Sequence, residues 1–395
     1  MITKFDSLFA GHVDMENVGY DGIAVNDRRF PNEHLATAFD KARVIARTMD
    51  RLGYDTFWTA EHHFQPEGYE CIPNILMLAV DLAHETKRLK LGCGFNITPM
   101  WHPLRLAEDF ATADILTGGR VIFGVGRGYH TREVETFGAP LRDQPANRDL
   151  FEEQVEIIFK AFNSPSFSHQ GTYYTIPPRV PYRGYELQEI TLVPQPIHRP
   201  IECWQPIQSA TPRGLDFMAK HGIKGIIGGG VAEGGAMHNV VAGYRDALRR
   251  VGRDPQLGED LSFGFHFYLA NTQEEGVKAA AKYYEENLKM FGPLRLVRAL
   301  SDEQIEAMAD PRRAPHAGLP TLEDAVQKGA FLCGPPELII EQLLRLEERY
   351  PGLERVGVSQ PIGTPQAVIL EQLEWFAAEV MPAFKKRVQE AVPAN

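Results

Sequence analysis

The chain has 395 residues, of which 44% are hydrophobic and 24% are charged, a balance typical of a folded globular protein. Its 41 Lys and Arg against 52 Asp and Glu give a formal net charge of -11, which excludes nucleic acid and anionic membrane surfaces as expected partners. The cysteines, Cys71, Cys93, Cys203 and Cys333, form no CxxC pair, so neither a disulfide framework nor a zinc ribbon is predicted. No signal peptide is visible and no stretch reaches the ~18 apolar residues of a membrane span. We therefore expect a cytoplasmic protein.

Strand-like and helix-like segments alternate along the chain. Short runs of apolar and β-branched residues are predicted as strands at 5–10, 56–60, 89–98, 121–126, 201–204, 223–228, 261–270 and 355–360. Helices are predicted at 34–52, 73–85, 103–116, 147–162, 211–221, 237–251, 273–291, 336–350 and 365–388. Strand-then-helix units imply parallel pairing through right-handed crossovers, in a closed barrel or an open doubly wound sheet. Eight such units favour an α/β fold with a (β/α)8 TIM barrel.

Two segments interrupt this alternation. Residues 163–200 are rich in Pro, Tyr and Gly, and their 167–176 part predicts a hairpin, so we expect an insertion after the fourth helix. Residues 299–329 are polar and fall in a loop of the kind that builds a barrel's active-site face. We expect this second segment to be a mobile lid. No interdomain linker is visible, and residues 1–395 are predicted to form a single domain.

The strongest candidates for catalysis are Glu61, His62 and His63, directly after the second predicted strand. In a barrel they would stand at the carboxyl end of that strand, inside the catalytic mouth. Histidine can transfer protons near neutral pH, and an adjacent carboxylate can fix its tautomer. The alternative is that one histidine is structural and the other lies at the surface. A metal site shared with His102 and Asp109 is disfavoured, because neighbouring strand residues point in opposite directions. No metal is predicted.

The third predicted strand carries small and polar residues. Its glycines would let a flat ligand approach the backbone, and Asn96 and Thr98 offer the donors and acceptors that a heteroaromatic edge needs. The alternative is an ordinary barrel strand whose glycines serve packing.

Two further segments could bind a phosphate group. After the fourth strand, glycines at 124, 126 and 128 expose backbone N–H groups, and Arg127 offers two donors. This string lacks the GxGxxG spacing of a nicotinamide-binding Rossmann site. Ser209 and Thr211 open the fifth-unit helix, where they are either ordinary caps or part of an anion site at the helix N-terminus. Together these segments indicate a planar cofactor with a phosphate tail.

Four segments resemble the family of bacterial luciferase and the luciferase-like flavin-dependent monooxygenases. They are 53–64 with Glu-His-His-Phe, 99–109 with His-Pro-Leu-Arg-x-Ala-Glu-Asp, 118–128, and the Gln-Ser-Ala-Thr turn at 208–211. The resemblance implies a (β/α)8 barrel that binds reduced FMN from a separate NAD(P)H:flavin reductase. It also implies that O2 adds to the flavin as a hydroperoxide, which passes one oxygen atom to a small hydrophobic organic substrate.

The resemblance also implies roles for individual residues. His62 matches the catalytic histidine of the family, with His63 and Glu61 in support. Arg127 matches the arginine that holds the flavin phosphate, with Gly128 and Tyr129 beside it, and Ser209 and Thr211 match the phosphate-binding turn. Asn96 and Thr98 fall where the family lines the flavin ring. Because this chain has Gly126 where luciferase has a reactive cysteine, light emission is not expected.

Three alternatives remain open at this point. A deazaflavin-dependent oxidoreductase on the same fold would transfer hydride without oxygen, a non-catalytic flavin-binding relative would be expected to lack Glu61-His62-His63, and a barrel hydrolase would use a metal at His62, His63 and His102. Members resembling this chain dimerise through their early helices, and the segment 75–82 is apolar on more than one face. We therefore expect a homodimer.

Overall fold

The computed structural model describes residues 1–228, 236–297 and 300–391. Within these residues, eight parallel strands form a closed barrel in which each strand pairs with its neighbours in chain order and the last pairs with the first. They are β1 (Lys4–Phe9), β2 (Thr56–Thr59), β3 (Lys90–Cys93), β4 (Val121–Gly126), β5 (Cys203–Pro206), β6 (Lys224–Gly228), β7 (Leu261–Leu269) and β8 (Arg355–Ser359). The predicted (β/α)8 barrel is confirmed.

Helices surround the barrel. The main ones are α1 (Asn32–Leu52), α2 (Ile75–Glu85), α3 (Pro103–Leu116), α4 (Gln144–Asn163), α5 (Pro212–His221), α6 (Ala236–Arg250), α7 (Gln273–Phe291), α8 (Pro336–Arg349) and α9 (Gln366–Trp375). A π-helical turn, Phe376–Val380, joins α9 to a last helix, Met381–Ala391. Pro at the first helical position starts several of these helices, because proline's fixed φ suits that position. Within the described residues, no helix is both long and apolar enough to cross a bilayer.

The third predicted strand is wrong in its second half. β3 ends at Cys93, and Asn96–Ile97 form a separate short strand that pairs with the end of β4. The indole of Trp58 lies where a side chain at Gly92 would otherwise stand, and a Cβ on Gly94 would be in ordinary contact with it at 3.4 Å. Glycine at position 92 thus makes room for this ring.

A four-residue strand, Phe331–Gly334, was not predicted. It pairs with the outer half of β7, outside the barrel. The segment directly before it, predicted as a lid, contains helices Asp302–Met308 and Leu322–Gln327, each starting with a capping box; residue 299 lies outside the described residues. The Tyr20 hydroxyl donates to the Pro320 carbonyl oxygen at 3.0 Å, which joins this segment to the loop after β1. Its mobility stays a prediction.

The insertion at 163–200 leaves the barrel and carries two small antiparallel ladders. His169–Gln170 pairs with Thr175–Ile176, and Pro181–Tyr182 pairs with Tyr185–Glu186. Glu153 on α4 accepts hydrogen bonds from the backbone N–H groups of residues 172–174. This carboxylate fastens the first hairpin to the helix before it.

The interior of the barrel is filled by aromatic rings and one buried ion pair. Trp58 and Trp204 meet edge to face at 5.9 Å between ring centroids, and both are buried. Below them, Arg355 lies 2.6 Å from a carboxylate oxygen of Asp6, and the Trp58 indole N–H donates to the same carboxylate. These contacts fill the amino-terminal end of the barrel, so among the described residues the carboxyl ends of the strands are the side that we consider for a ligand.

Candidate functional site

Part of the mouth at the carboxyl ends of the strands is exposed among the described residues. Leu8 lies near the end of β1, and its side chain reaches toward Gly94 inside the barrel, yet it is 43% exposed. An apolar side chain at an inner barrel position would be covered if the mouth were filled by protein. The loops after β2 and β4, which carry most of the predicted site residues, border this opening.

His62 is held between two carboxylates at this mouth. Its Nδ1 lies 3.2 Å from Oε2 of Glu133, and its Nε2 lies 3.1 Å from Oε1 of Glu70. The hydroxyl of Tyr129 lies 3.0 Å from the same Nε2 and donates to Glu70 at 2.9 Å. The predicted residues His62 and Tyr129 are therefore brought together, although they come from different loops.

A second histidine and a glutamine complete this cluster. His130 Nε2 lies 3.0 Å from Oε2 of Glu70. The Gln65 amide donates to Glu70 at 3.0 Å and to Glu133 at 3.1 Å. We call the six residues His62, Gln65, Glu70, Tyr129, His130 and Glu133 the histidine–carboxylate network.

Burial and charge oppose each other at His62. Burial disfavours its charged form most strongly, but Glu70, Glu133 and, more weakly, Glu61 outweigh it, so the pKa of His62 is raised above its ordinary value. Burial also raises the pKa of Glu133, but its hydrogen bond and charge interaction with His62 prevail and lower that pKa overall. Burial and the charge of Glu70 raise the pKa of Tyr129. The network thus favours a charged His62 and a neutral phenol.

Glu61 and His63 belong to a neighbouring arrangement. Glu61 accepts hydrogen bonds from the Ile97 backbone N–H at 2.9 Å and from the Trp101 indole at 2.8 Å. Its carboxylate also lies 3.1 Å from Nε2 of His63, whereas the backbone N–H of His63 donates to Glu133. Glu61 therefore orients the loop after β3, and the side chains of His62 and His63 have different partners.

Asn96 and Thr98 are fully buried. The Asn96 amide donates to the Gly124 carbonyl oxygen at 2.9 Å, and the Thr98 hydroxyl lies 3.4 Å from the Asn96 carbonyl oxygen. Gly128 has a φ of +82°, which favours glycine, and a Cβ there would lie 2.5 Å from Val134. The side chains of Asn96 and Thr98 thus hold the strand ends together, and flavin contact by these three residues stays a prediction.

A group of cations lies on the other side of the loop after β4. Arg127 donates to Asn147 at 2.8 Å and to the Gln144 side chain at 2.8 Å, both on α4. Burial, together with the positive charges of Arg148 and Arg213, lowers the pKa of Arg127 to about 10. Like charges gathered in this way are stabilised by an anion.

The N-terminus of α5 faces this group. Thr211 is exposed and makes no side-chain cap bond to the helix, and Ser209 is also exposed. A Cβ placed on Gly214, in the first turn, would lie 3.1 Å from the Thr211 hydroxyl and 3.4 Å from a guanidinium nitrogen of Arg148. The structure therefore brings Arg148 and Thr211 to one helix N-terminus, the geometry of an anion site.

The metal set considered from the sequence is not assembled. Among the described residues, the group whose candidate ligand atoms lie within 4.8 Å of one another is His62, Glu70, His130 and Glu133; it includes neither His63 nor His102. His102 instead caps α3, where its Nδ1 accepts from the Leu104 backbone N–H. The polar atoms of these four side chains already make hydrogen bonds, so we interpret the group as a hydrogen-bonded network and not as a metal site.

Sequence reasoning missed Glu70, Glu133, His130, Gln65 and Arg148. A usable signal existed for two of them, because His130 and Glu133 directly follow the glycine segment at the end of β4, where barrel loops carry functional groups. Glu70 lies eight residues beyond His62 in an irregular loop, and Arg148 lies on the helix α4. Neither position carries a pattern that separates it from ordinary surface charges.

Several known proteins are similar to this chain. The family model for luciferase-like monooxygenases matches residues 21–351. A flavin-dependent trigonelline monooxygenase, oxygenase component, of Acinetobacter baylyi is 25% identical over 88% of this chain and 90% of its own. Limonene 1,2-monooxygenase of Rhodococcus erythropolis is 24% identical over 86% of this chain and 80% of its own. An uncharacterized protein of Sinorhizobium fredii is 33% identical, but the match spans only 35% of that protein.

Solved structures of low sequence identity share the fold. The oxygenating constituent of 3,6-diketocamphane monooxygenase of Pseudomonas putida, in complex with FMN, superposes with a TM-score of 0.68 at 21% identity, over 97% of this chain and 99% of that one. An F420-dependent secondary alcohol dehydrogenase superposes with a TM-score of 0.60 at 16% identity, over 97% and 99%. With the family match covering most of the chain, the protein belongs to the luciferase-like monooxygenase family.

Proposed function

We propose that the chain is the oxygenase component of a two-component flavin-dependent monooxygenase. It would bind reduced FMN supplied by a separate NAD(P)H:flavin reductase and transfer one oxygen atom from O2 to a small hydrophobic organic substrate. The observation that carries this proposal is the pairing of a buried His62, held between carboxylates, with a cationic helix N-terminus on the same barrel mouth. The trigonelline and limonene monooxygenases, similar over most of the chain, support it.

The residues at α5 fit the phosphate of FMN. Arg127, Arg148 and Arg213 supply positive charge, and Thr211 leaves its hydroxyl and the first-turn N–H groups of the helix for a ligand. A phosphate monoester needs such charge-assisted donors and gains from the positive end of the helix dipole. Glu152 lies 3.3 Å from Arg148 and 2.6 Å from Arg213, so it holds these two side chains in place before a ligand binds.

When bound, reduced FMN supplies the electrons for the activation of O2. The chain's own contribution is to control protons and water around that chemistry. The histidine–carboxylate network would hold a proton at Nε2 of His62, whose side chain is shielded from solvent at 4% exposure. The predicted lid at 299–329, in which the Pro320 carbonyl accepts from Tyr20 of the loop after β1, would cover the mouth.

Aromatic side chains beside the network support an apolar substrate. Phe64 and Phe137 are stacked at 5.5 Å between centroids and are 50% and 47% exposed. The ring of His63 meets Phe137 at 4.8 Å. Phe64 also has a positive φ of 59°, and such strained backbone is common at functional sites. Trp58 and Trp204, by contrast, form the barrel floor and are not accessible to a substrate.

A homodimer and a cytoplasmic location, where NAD(P)H is available, are also proposed. The exposed face of α2 carries Met77, which is 72% exposed. Helix α9 packs against α1, and the hydroxyl of Tyr54, just after α1, donates to the Leu373 carbonyl oxygen of α9. Because α9 covers α1, the open face of α2 is the surface left for a second copy. Sedimentation at micromolar concentration should show a dimer that Met77→Lys weakens.

Equilibrium binding distinguishes the proposed cofactor from its main alternative. Under anaerobic conditions, the protein should bind photoreduced FMN more tightly than reduced deazaflavin. Tighter binding of the deazaflavin, which also carries a phosphate, would indicate a hydride-transferring oxidoreductase instead of a monooxygenase. Failure to bind either cofactor would exclude both functions.

A further inference from the structure

We infer that the proton held by His62 leaves the network through the hydroxyl of Tyr129, and that Glu70 is the positioning residue that aligns this relay. The protonation state of the network is inferred only from the contacts within it. The delivery of the proton to a reacting oxygen rests on the proposed function.

The donors around Glu70 assign its carboxylate oxygens as acceptors. Its Oε1 accepts from the Tyr129 hydroxyl at 2.9 Å, and its Oε2 accepts from the Gln65 amide at 3.0 Å and lies 3.0 Å from Nε2 of His130. A carboxylate that accepts two or three hydrogen bonds is stabilised in its charged form. Glu70 is also 1% exposed, so these donors replace the water that an ionised carboxylate needs.

This assignment fixes the direction of the hydrogen bond at Tyr129. A phenol has one proton to donate, and Tyr129 uses it toward Glu70. The contact of 3.0 Å between the Tyr129 oxygen and Nε2 of His62 must then be made by a proton on Nε2. That proton also faces the Glu70 carboxylate at 3.1 Å.

The other ring nitrogen of His62 carries a proton as well. Nδ1 lies 3.2 Å from Glu133, and this carboxylate also accepts from the His63 backbone N–H and the Gln65 amide. A neutral imidazole would turn a lone pair toward one of the two carboxylates, which is repulsive. The charged groups facing His62 are Glu61, Glu70 and Glu133, with Tyr129 and His130 as the other titratable neighbours, and the three carboxylates favour the imidazolium.

Accessibility selects Tyr129 as the exit. His62, Glu70, His130 and Glu133 are each less than 9% exposed, whereas Tyr129 is only partly buried. Both nitrogens of His62 are already engaged, so its ring offers no free N–H to a ligand in the mouth. Tyr129 follows Arg127 by two residues, which places it on the same loop as the proposed phosphate contact.

The relay conserves protons and leaves the oxidation states unchanged. The Tyr129 hydroxyl would turn from Glu70 toward a ligand in the mouth, and its O–H bond would break as an O–H bond forms on the ligand oxygen that accepts the proton. The Nε2–H bond of His62 breaks as the Tyr129 hydroxyl is restored. His62 is left neutral, with Nδ1–H still bonded to Glu133, and it regains a proton from solvent between turnovers.

Two measurements on the same variants test the relay. The first follows the ring nitrogens of His62 by NMR against pH in the protein without flavin, with ¹⁵N-labelled histidine and His62→Gln for assignment. The second follows the rate of reoxidation of bound reduced FMN by O2 against pH. In the wild type we expect the midpoint of the NMR titration and the midpoint of the rate–pH profile to coincide, above the ordinary histidine pKa of 6.5.

The variants separate the alignment of the relay by Glu70 from the delivery of the proton by Tyr129. Glu70→Gln should lower both midpoints together, by about 1–3 pH units, the scale of one nearby opposite charge. Tyr129→Phe should leave the NMR midpoint in place, because Glu70 still faces Nε2, while the kinetic midpoint disappears. Glu133→Gln should also lower the NMR midpoint. It replaces Glu70→Gln as the test variant if Glu70→Gln does not fold. Tyr185→Phe, in the exposed outer hairpin, should change neither midpoint.

Each of the opposite outcomes would contradict one defined part of the proposal. If Tyr129→Phe keeps the kinetic midpoint, His62 delivers its proton directly and the relay is wrong. If Glu70→Gln and Glu133→Gln both leave the NMR midpoint unchanged, the carboxylates do not set the charge of His62. If the wild type does not bind reduced FMN, the proposed function and the delivery step fail together, and the NMR result alone decides the charge state.

Discussion

Glu133 joins His62 and His63 through different atoms. One carboxylate oxygen lies 3.2 Å from Nδ1 of His62, and the other accepts from the backbone N–H of His63 at 3.0 Å. This residue on the loop after β4 therefore fixes both the ring and the main chain of the histidine pair after β2. Because His63 turns its side chain toward Glu61, His62 is the histidine available for proton transfer.

His62→Ala should keep the affinity for reduced FMN but lose product. The proposed phosphate contacts, at Arg127, Arg148 and the N-terminus of α5, make no hydrogen bond to His62, whereas loss of a general acid slows a reaction by about 10²–10⁴-fold. Product formed and hydrogen peroxide released per O2 consumed would be measured with a substrate that the wild type converts. His84→Gln, at an exposed helix end, is the control. Unchanged product yield in His62→Ala would remove His62 from the reaction.

Arg148→Ala and Arg127→Ala should each weaken the binding of reduced FMN. Loss of one hydrogen bond to a charged group costs about 1.5–3 kcal/mol, or about 10- to 150-fold in Kd. Reduced riboflavin, which lacks the phosphate, should bind wild type and variants equally. Arg179→Ala, 90% exposed at its side chain, is the control variant. Equal losses of affinity for FMN and riboflavin would show that these arginines do not bind the phosphate.

The purified protein should contain no stoichiometric metal. The four side chains whose spacing would suit an ion, His62, Glu70, His130 and Glu133, are already paired with one another and with Gln65. Elemental analysis before and after dialysis against a chelator would check this. One tightly held equivalent of zinc or iron per chain would instead assign the network to metal binding.

The loop after β1 should depend on a buried carboxylate for its stability. Glu286 on α7 lies 3.2 Å from Arg28 and 3.0 Å from Lys289, with all three side chains at most 1% exposed. Glu286→Ala would leave two buried cations with backbone carbonyl partners but without this counter-ion, at a cost of about 3–5 kcal/mol in the free energy of unfolding. Asp302→Ala breaks the exposed pair with Arg295 and should cost less than about 1 kcal/mol. Urea denaturation of both variants tests the difference, and equal costs would contradict it.

Acid should destabilise the folded protein through His266 on β7. Burial lowers the pKa of His266 from 6.5 to about 4, so between these pH values the unfolded chain binds a proton that the folded chain does not. Stability therefore falls as the pH decreases from 6.5 to about 4. His266→Gln should lose part of this pH dependence, measured as Tm against pH, whereas His84→Gln should follow the wild type. Parallel Tm curves for His266→Gln and the wild type would show that His266 does not contribute.

The barrel could be predicted from sequence because each strand is a short buried run followed by a helix with its own start signal. The break after Cys93 could not, because the short strand Asn96–Ile97 is defined only by its pairing with the end of β4 in the closed barrel. His62 could be proposed because its position follows a strand. Glu133 could not, since its carboxylate meets His62 only when the loops after β2 and β4 come together, and Glu70 could not, since it lies in an irregular segment of the loop that carries His62.

The reaction of the bound flavin with oxygen tests the proposed function most directly. The protein would be loaded anaerobically with photoreduced FMN and mixed with air-saturated buffer, with flavin reoxidation followed by absorbance and hydrogen peroxide by a coupled assay. The monooxygenase proposal predicts tight loading, slow reoxidation in more than one phase, and peroxide release that lags behind the first phase. Absence of loading, or reoxidation in one step at the rate of free reduced FMN, would contradict it.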